Sequence, residues 1–225
     1  MSRELPILFN TEMVRAILDG RKTATRRICR DGNDYTIPDM EFYDPDKRTY
    51  AIHSYADREH TEKLSISERT CPVCPGDILY ARETWSFISC MECAGDGCCG
   101  KAPALYGDRG CYLYKAALSE HADPGRTWRP SIHMPKAAAR IWLKVTDVGV
   151  AHLQAMELDD FLDEGVVIRP EAFNDPGNAC RQAREQFAGI WDRTMPKGQQ
   201  ALYGWDADPW VWAIGFERCV RPGKG

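Results

Sequence analysis

The sequence predicts an α+β fold, and three observations carry that prediction. Between Asn10 and Asp19 the apolar residues Met13 with Ile17 and Val14 with Leu18 repeat at i, i+4, the spacing of one helix face. Ile141, Leu143 and Val145 alternate with polar or exposed neighbours, as do Trp210, Trp212, Ile214 and Phe216, which is the period of a half-buried strand. A chain of 225 residues with 44 % apolar and 28 % charged content can bury a substantial core around such elements, and one domain with insertions is the natural count.

Taken in order, Pro6 to Phe9 reads as a first strand. Asn10 or Thr11 then caps the helix, and Gly20 stops it. Residues 31–70 carry many acids, Tyr and Pro with little sustained periodicity; they read as an insertion with short strands such as Thr49 to His53 and a solvated charged face. Pro75-Gly76-Asp77 is a turn that launches a strand at Ile78 to Arg82, with another at Thr84 to Ile88. A Cys- and Gly-rich loop leads to a strand at Cys111 to Ala116, and residues 139–150 form a long strand. Two helices follow. One spans Glu157 to Glu164 with Leu158, Phe161 and Leu162 inward and Gly165 ending it; the second spans Asn178 to Met195 with Ala179, Ala183, Phe187, Ile190 and Trp191 on one face. The strand through Trp210 to Phe216 is the last element.

The formal net charge is −4, which argues against coating of nucleic acid by bulk electrostatics. Residues 1–30 nevertheless hold seven Arg or Lys against three acids, so the rest of the chain carries all of the acidic excess. That split suits local recognition of one nucleotide or a short strand. No apolar run approaches the roughly 20 residues that a membrane span requires, and the N-terminus lacks the charged-then-apolar build of a secretory signal. A cytoplasmic location without a membrane partner is expected.

The segment GRKTATRR from Gly20 to Arg27 crowds cations and hydroxyls onto the exit turn of the first helix. As bare chemistry, such a cluster offsets the negative end of the helix macrodipole or binds an anionic or strongly polar ligand. Gly20, Lys22, Thr25 and Arg27 resemble the GxKxxTxR pattern of the ASCH family, small β-barrel domains related to the RNA-recognising PUA domains. The resemblance extends through PILFNTEMVRAILDGRKTATRR, PGDILYARETW, WRPSIHMPKAAARIWLKVTDV and DPWVWAIGFER to the phage- and prophage-encoded type. It implies a PUA-like (ASCH) β-barrel with peripheral helices over residues 1–220, with insertions at about 31–70 and 89–110 and the last strand closing the barrel.

In ASCH amidohydrolases that deacylate acetylated cytidine, the catalytic set is a Lys and a Thr of the motif with a Glu from a strand. By resemblance these fall on Lys22, Thr25 and Glu83. A buried Lys, or a Lys and Glu pair, can take the Thr proton for attack on an amide carbonyl, and Arg27 can stabilise the oxyanion. The alternative is a structural ion pair between Lys22 and Glu83 with Thr25 capping a turn. Fold likeness does not fix chemistry. The expected function is therefore recognition of a nucleoside, nucleotide or RNA through a Lys/Thr/Arg/Glu pocket. The rival is a hydrolase using the same set, an amidohydrolase on acylated cytidine or a ribonuclease. A weaker alternative is a phage assembly or host-takeover protein. Gly20, Arg26, Arg27, Arg82 and Trp85 are expected at the ligand. Arg129, Ser131 and His133, next to Trp128, are expected at its rim, where an aromatic beside a guanidinium and a hydroxyl suits base stacking and edge recognition.

The ten cysteines point to metal or thiols over disulfides in a cytoplasmic chain. Two allocations of a structural zinc compete. The units Cys71-Pro-Val-Cys74 and Cys90-Met-Glu-Cys93 together make one four-thiolate site, or Cys90, Cys93, Cys98 and Cys99 make a compact knuckle with Cys71 or Cys111 as a substitute ligand. The knuckle is preferred, because PGDILYARETW between the two units already supplies strands. Cys29, Cys180 and Cys219 are isolated and read as packing residues or thiols.

Overall fold

The computed structural model describes residues 2–29, 38–44, 49–55, 63–70, 72–89, 102–105, 108–118 and 125–223, with backbone alone at 38–70 and 102–109. In chain order the elements are β1 (Glu4–Leu8), α1 (Thr11–Leu18), β2 (Ala24–Ile28), β3 (Pro38–Asp44), β4 (Thr49–Tyr55), β5 (Lys63–Thr70), β6 (Ile78–Arg82), β7 (Trp85–Ser89), β8 (Ala102–Leu105), β9 (Asp108–Tyr114), β10 (Trp142–His152), α2 (Leu158–Asp163), α3 (Pro176–Thr194), α4 (Gln200–Tyr203) and β11 (Trp210–Cys219). Short 3-10 turns at Ser131–His133 and Lys136–Ala138 shape the approach to β10. No described helix is long and apolar enough to cross a membrane.

The fold is α+β. A five-stranded sheet runs in the order β1-β6-β10-β11-β2, and two three-stranded sheets run β3-β4-β5 and β7-β9-β8. β1 pairs parallel with β6, β10 antiparallel with β6, and β11 antiparallel with β2. β1 and β2 are the ends of the large sheet, so among the described residues it does not close into a barrel. β11, expected to close one, instead lies inside the sheet between β10 and β2. Val211 is as deeply buried as Trp210, Trp212, Ile214 and Phe216 because it packs in an apolar cluster with Phe161, Phe187 and Trp191, whereas Ala213 and Gly215 on the same face are half-buried.

The chain divides into two compact units, residues 1–22, 77–144 and 217–225 forming the first and residues 23–76 and 145–216 the second. Trp85, Met134, Ala138, Ala139 and Trp142 make an apolar cluster in the first, flanked by Tyr80, Phe87, Tyr112 and Tyr114. The second has its own cluster, in which Phe161 of α2 and Ala179, Ala183, Phe187 and Trp191 of α3 pack with Leu153 and Val211. The α3 residues recur every four positions, so a single stripe of a polar helix is buried. Asp175 caps that helix by accepting from the backbone N–H groups of Gly177 and Asn178, and Pro176 fits its first turn, where no intrahelical donor is needed.

α1 ends as its sequence requires. The Asn10 side chain accepts from the Met13 N–H at 2.8 Å. At the other end Gly20, at φ +77°, lets its own N–H reach the Ile17 carbonyl and that of Arg21 reach the Ala16 carbonyl, the double bond of a Schellman stop. The residues after this stop differ from expectation. Thr25 and Arg27 stand on the strand β2, not on a turn, because the Schellman bonds end the helix within two residues and leave Ala24–Ile28 extended against β11. The 31–70 segment holds short strands as expected, β4 covering Thr49 to His53, and β3, β4 and β5 pair in sequence as an antiparallel meander.

Candidate functional site

In the first unit, Glu83 directly follows β6 and keeps the alternation of Leu79 and Ala81, so its side chain points inward with theirs and is 1 % exposed. A carboxylate so placed loses its hydration and needs a cation. Arg140, two residues before β10, supplies it. Arg140 Nε donates to Glu83 Oε1 at 2.8 Å and Nη2 to Oε2 at 3.0 Å, a bidentate pair. The Arg140 guanidinium lies over the Tyr114 ring, 4.2 Å from its centroid, and its side chain is 28 % exposed. The Tyr114 hydroxyl donates to the Ala138 carbonyl at 2.7 Å, which anchors the ring. Burial pushes the Tyr114 phenol up to about 12, with the Arg140 charge opposing and Glu83 and Tyr112 reinforcing the shift.

Lys22 belongs to the same unit. Its backbone N–H donates to the Ala16 carbonyl, its ammonium sits 5.9 Å from the centroid of Phe9, and the residue is 2 % exposed. Gly20 is exposed and acts through the helix stop. Arg82 is committed to backbone: Nε donates to the Met134 carbonyl at 2.8 Å and Nη2 to the Ile132 carbonyl, so it braces the 128–134 segment. Trp85 is buried in the apolar cluster, edge-on to Tyr112, and exchanges backbone hydrogen bonds with Arg129. Exposed Arg129 covers its ring at 5.2 Å. Ser131 and exposed His133 form the 3-10 turn that follows. The expected rim group is thus a connected segment, with Trp85 its buried anchor.

Thr25, Arg26 and Arg27 belong to the second unit, and strand alternation sorts them. Arg27 Nη1 donates to Thr25 Oγ1 at 2.9 Å on one face of β2. Burial draws the Arg27 guanidinium below its ordinary pKa, while the Glu164 carboxylate raises it. Arg26 points the other way. Its Nη2 donates to Asp160 Oδ1 at 2.6 Å and its Nη1 to Glu164 Oε1 at 3.4 Å, so this cation holds α2 against β2. Thr23 adds a hydroxyl bond to Asp163 at 2.6 Å. The acidic run ELDDFLDE at 157–164 is the signal that a basic strand has a partner helix; it is visible in the sequence but becomes specific once the alternation of β2 is known.

Arg140, Tyr114, Asp160 and Glu164 were not legible as site residues. Cys71, Cys90, Cys93, Cys98 and Cys99 lie outside the described residues. Cys74 is buried and Cys111 half-buried, neither in a disulfide, and no group of three or more His, Cys, Asp or Glu among the described residues is arranged to hold a metal ion. No family model, curated protein or solved structure matches this chain.

Proposed function

We propose that this protein recognises a nucleoside, nucleotide or short RNA through Lys22, Thr25, Arg27 and Glu83, and does so without turnover. The observation that carries the reading is the state of the two groups a hydrolase would use. Both oxygens of Glu83 accept from Arg140, so the carboxylate is already engaged at both atoms. Thr25 Oγ1 accepts from Arg27, which occupies a lone pair of the would-be nucleophile and leaves its proton to be offered to a ligand. Guanidinium, hydroxyl and ammonium donors of this kind read base edges and sugar or phosphate oxygens.

The PUA-like ASCH fold, the phage or prophage source and a cytoplasmic place of action belong to the same proposal and rest on the motif blocks from Gly20 to Arg27, Pro75 to Trp85 and Trp128 to Val148. Structural zinc in the Cys loop is proposed on separate ground, the spacing of Cys90, Cys93, Cys98 and Cys99.

One observation favours the hydrolase reading. Lys22 is 2 % exposed, so its amine is screened from bulk water, as the reacting amine of a closed site is. The two readings separate in one experiment, in which purified protein is incubated with acetylated cytidine and with labelled short RNA, and wild type is compared with Lys22→Ala and Thr25→Ala. Recognition predicts RNA retention by the wild type, weakened about tenfold or more in Lys22→Ala as a charge-assisted contact is lost, with no product from either substrate. Product formed by the wild type and lost in both variants establishes the hydrolase instead.

A further inference from the structure

We infer that Arg140 is a preorganised donor fork that selects guanine, reading its O6 and N7 atoms. The inference deepens the nucleobase-recognition reading and rests on it. A guanidinium carries five N–H groups in one plane. Glu83 takes the side edge, through Nε and Nη2 at 2.8 and 3.0 Å. The end edge is left, with one N–H each from Nη1 and Nη2 pointing in parallel; among the described residues Nη1 makes no hydrogen bond. Glu83, at 1 % exposure, fixes the guanidinium from behind. Tyr114 fixes its plane at 4.2 Å, held in turn by its hydroxyl bond to Ala138. The Arg140 side chain retains 28 % exposure for a ligand to reach it. A donor pair held on two sides is costly to build for a fold that needs only an ion pair, and its rotamer entropy is already spent before a ligand arrives.

Charge and geometry then select the ligand. Glu83 neutralises Arg140, so the fork presents directed donors with little net charge, which suits neutral acceptors better than a phosphate. Two adjacent acceptors on an unhindered base edge occur in guanine, at O6 and N7, the commonest bidentate partner of arginine. Adenine and uracil place a donor beside each acceptor on their pairing edges. Cytosine has the neighbours N3 and O2, but its O2 is crowded by the ribose.

The test is calorimetric titration of GMP, AMP, CMP and UMP, which share one phosphate, with 7-deaza-GMP, which lacks the N7 acceptor, as a fifth ligand on unaltered protein. The expected result is GMP bound at least tenfold more tightly than the other four. Arg140→Lys, folded by circular dichroism and retaining charge without a fork, should level the series. Tight binding of all nucleotides with GMP and 7-deaza-GMP equal overturns the fork and leaves nucleotide recognition standing. Preference for CMP, or competition by inorganic phosphate as strong as that by GMP, also overturns it. Binding of none, together with failure to retain short RNA, overturns the recognition reading itself.

Discussion

A carboxylate that is 1 % exposed survives folding because something replaces its lost hydration, and at Glu83 that something is the two-point contact with Arg140. Glu83 was legible as a candidate through the resemblance that called for a strand glutamate beside Lys22 and Thr25, which ARETW supplies at a strand end. Arg140 was not, because an arginine at the start of a strand has no sequence mark that distinguishes a solvated cation from a paired one. The same holds for Tyr114, whose strand was foreseen but whose neighbours were not. Its phenol, pushed up to about 12 by burial, holds its proton in the folded chain where an unfolded tyrosine begins to lose it near 10. Stability from this group is therefore complete below about pH 10 and drains away as the pH rises from about 10 to about 12. Urea midpoints measured from pH 8 to pH 12 should fall steeply in wild type and more gently in Tyr114→Phe. Some decline remains in the variant, because burial also raises the Tyr112 phenol. Coincident profiles would remove Tyr114 from the account.

At the level of elements, sequence reasoning succeeded where a local rule decides. The cap at Asn10, the stop at Gly20, the alternation of residues 78–82 and the four-residue stripe of α3 each depend on neighbours in the chain. It failed at β2, where strand identity comes from pairing with a distant partner: Ala24–Ile28 is extended because β11 lies beside it. A close approach between strands that no pattern reveals occurs at Gly110 on β9. A Cβ there would lie 2.1 Å from the Ile88 carbonyl oxygen and 2.4 Å from the Phe87 ring, too near for any side chain, and the carbonyl belongs to the paired strand and cannot swing aside. Gly110→Ala should cost about 1–3 kcal/mol through forced backbone shifts. A urea midpoint unchanged from wild type would show that β7 and β9 yield without strain.

Over the whole molecule, the α+β class and the order of most elements could be read in advance, while the partition into two units could not. Its boundaries at residues 22/23, 76/77, 144/145 and 216/217 include two inside strands, β10 and β11, so no linker composition marks them. The octet from Gly20 to Arg27 is itself divided, with Lys22 in one unit and Thr25, Arg26 and Arg27 in the other. Metal content is likewise a property of the intact chain. Untagged protein purified without added zinc should carry close to one equivalent by elemental analysis, given the tight binding usual for thiolate sites; less than about half an equivalent removes the knuckle. The neutral pairing of Glu83 with Arg140 has one more outcome. Ligands held by naked cations let go as ionic strength climbs, because counterions displaced on binding return. A fork already balanced by its own carboxylate displaces none, so guanosine affinity should hold within about twofold from about 50 to about 200 mM salt. A steep slope there would mean that unbalanced charge does the holding.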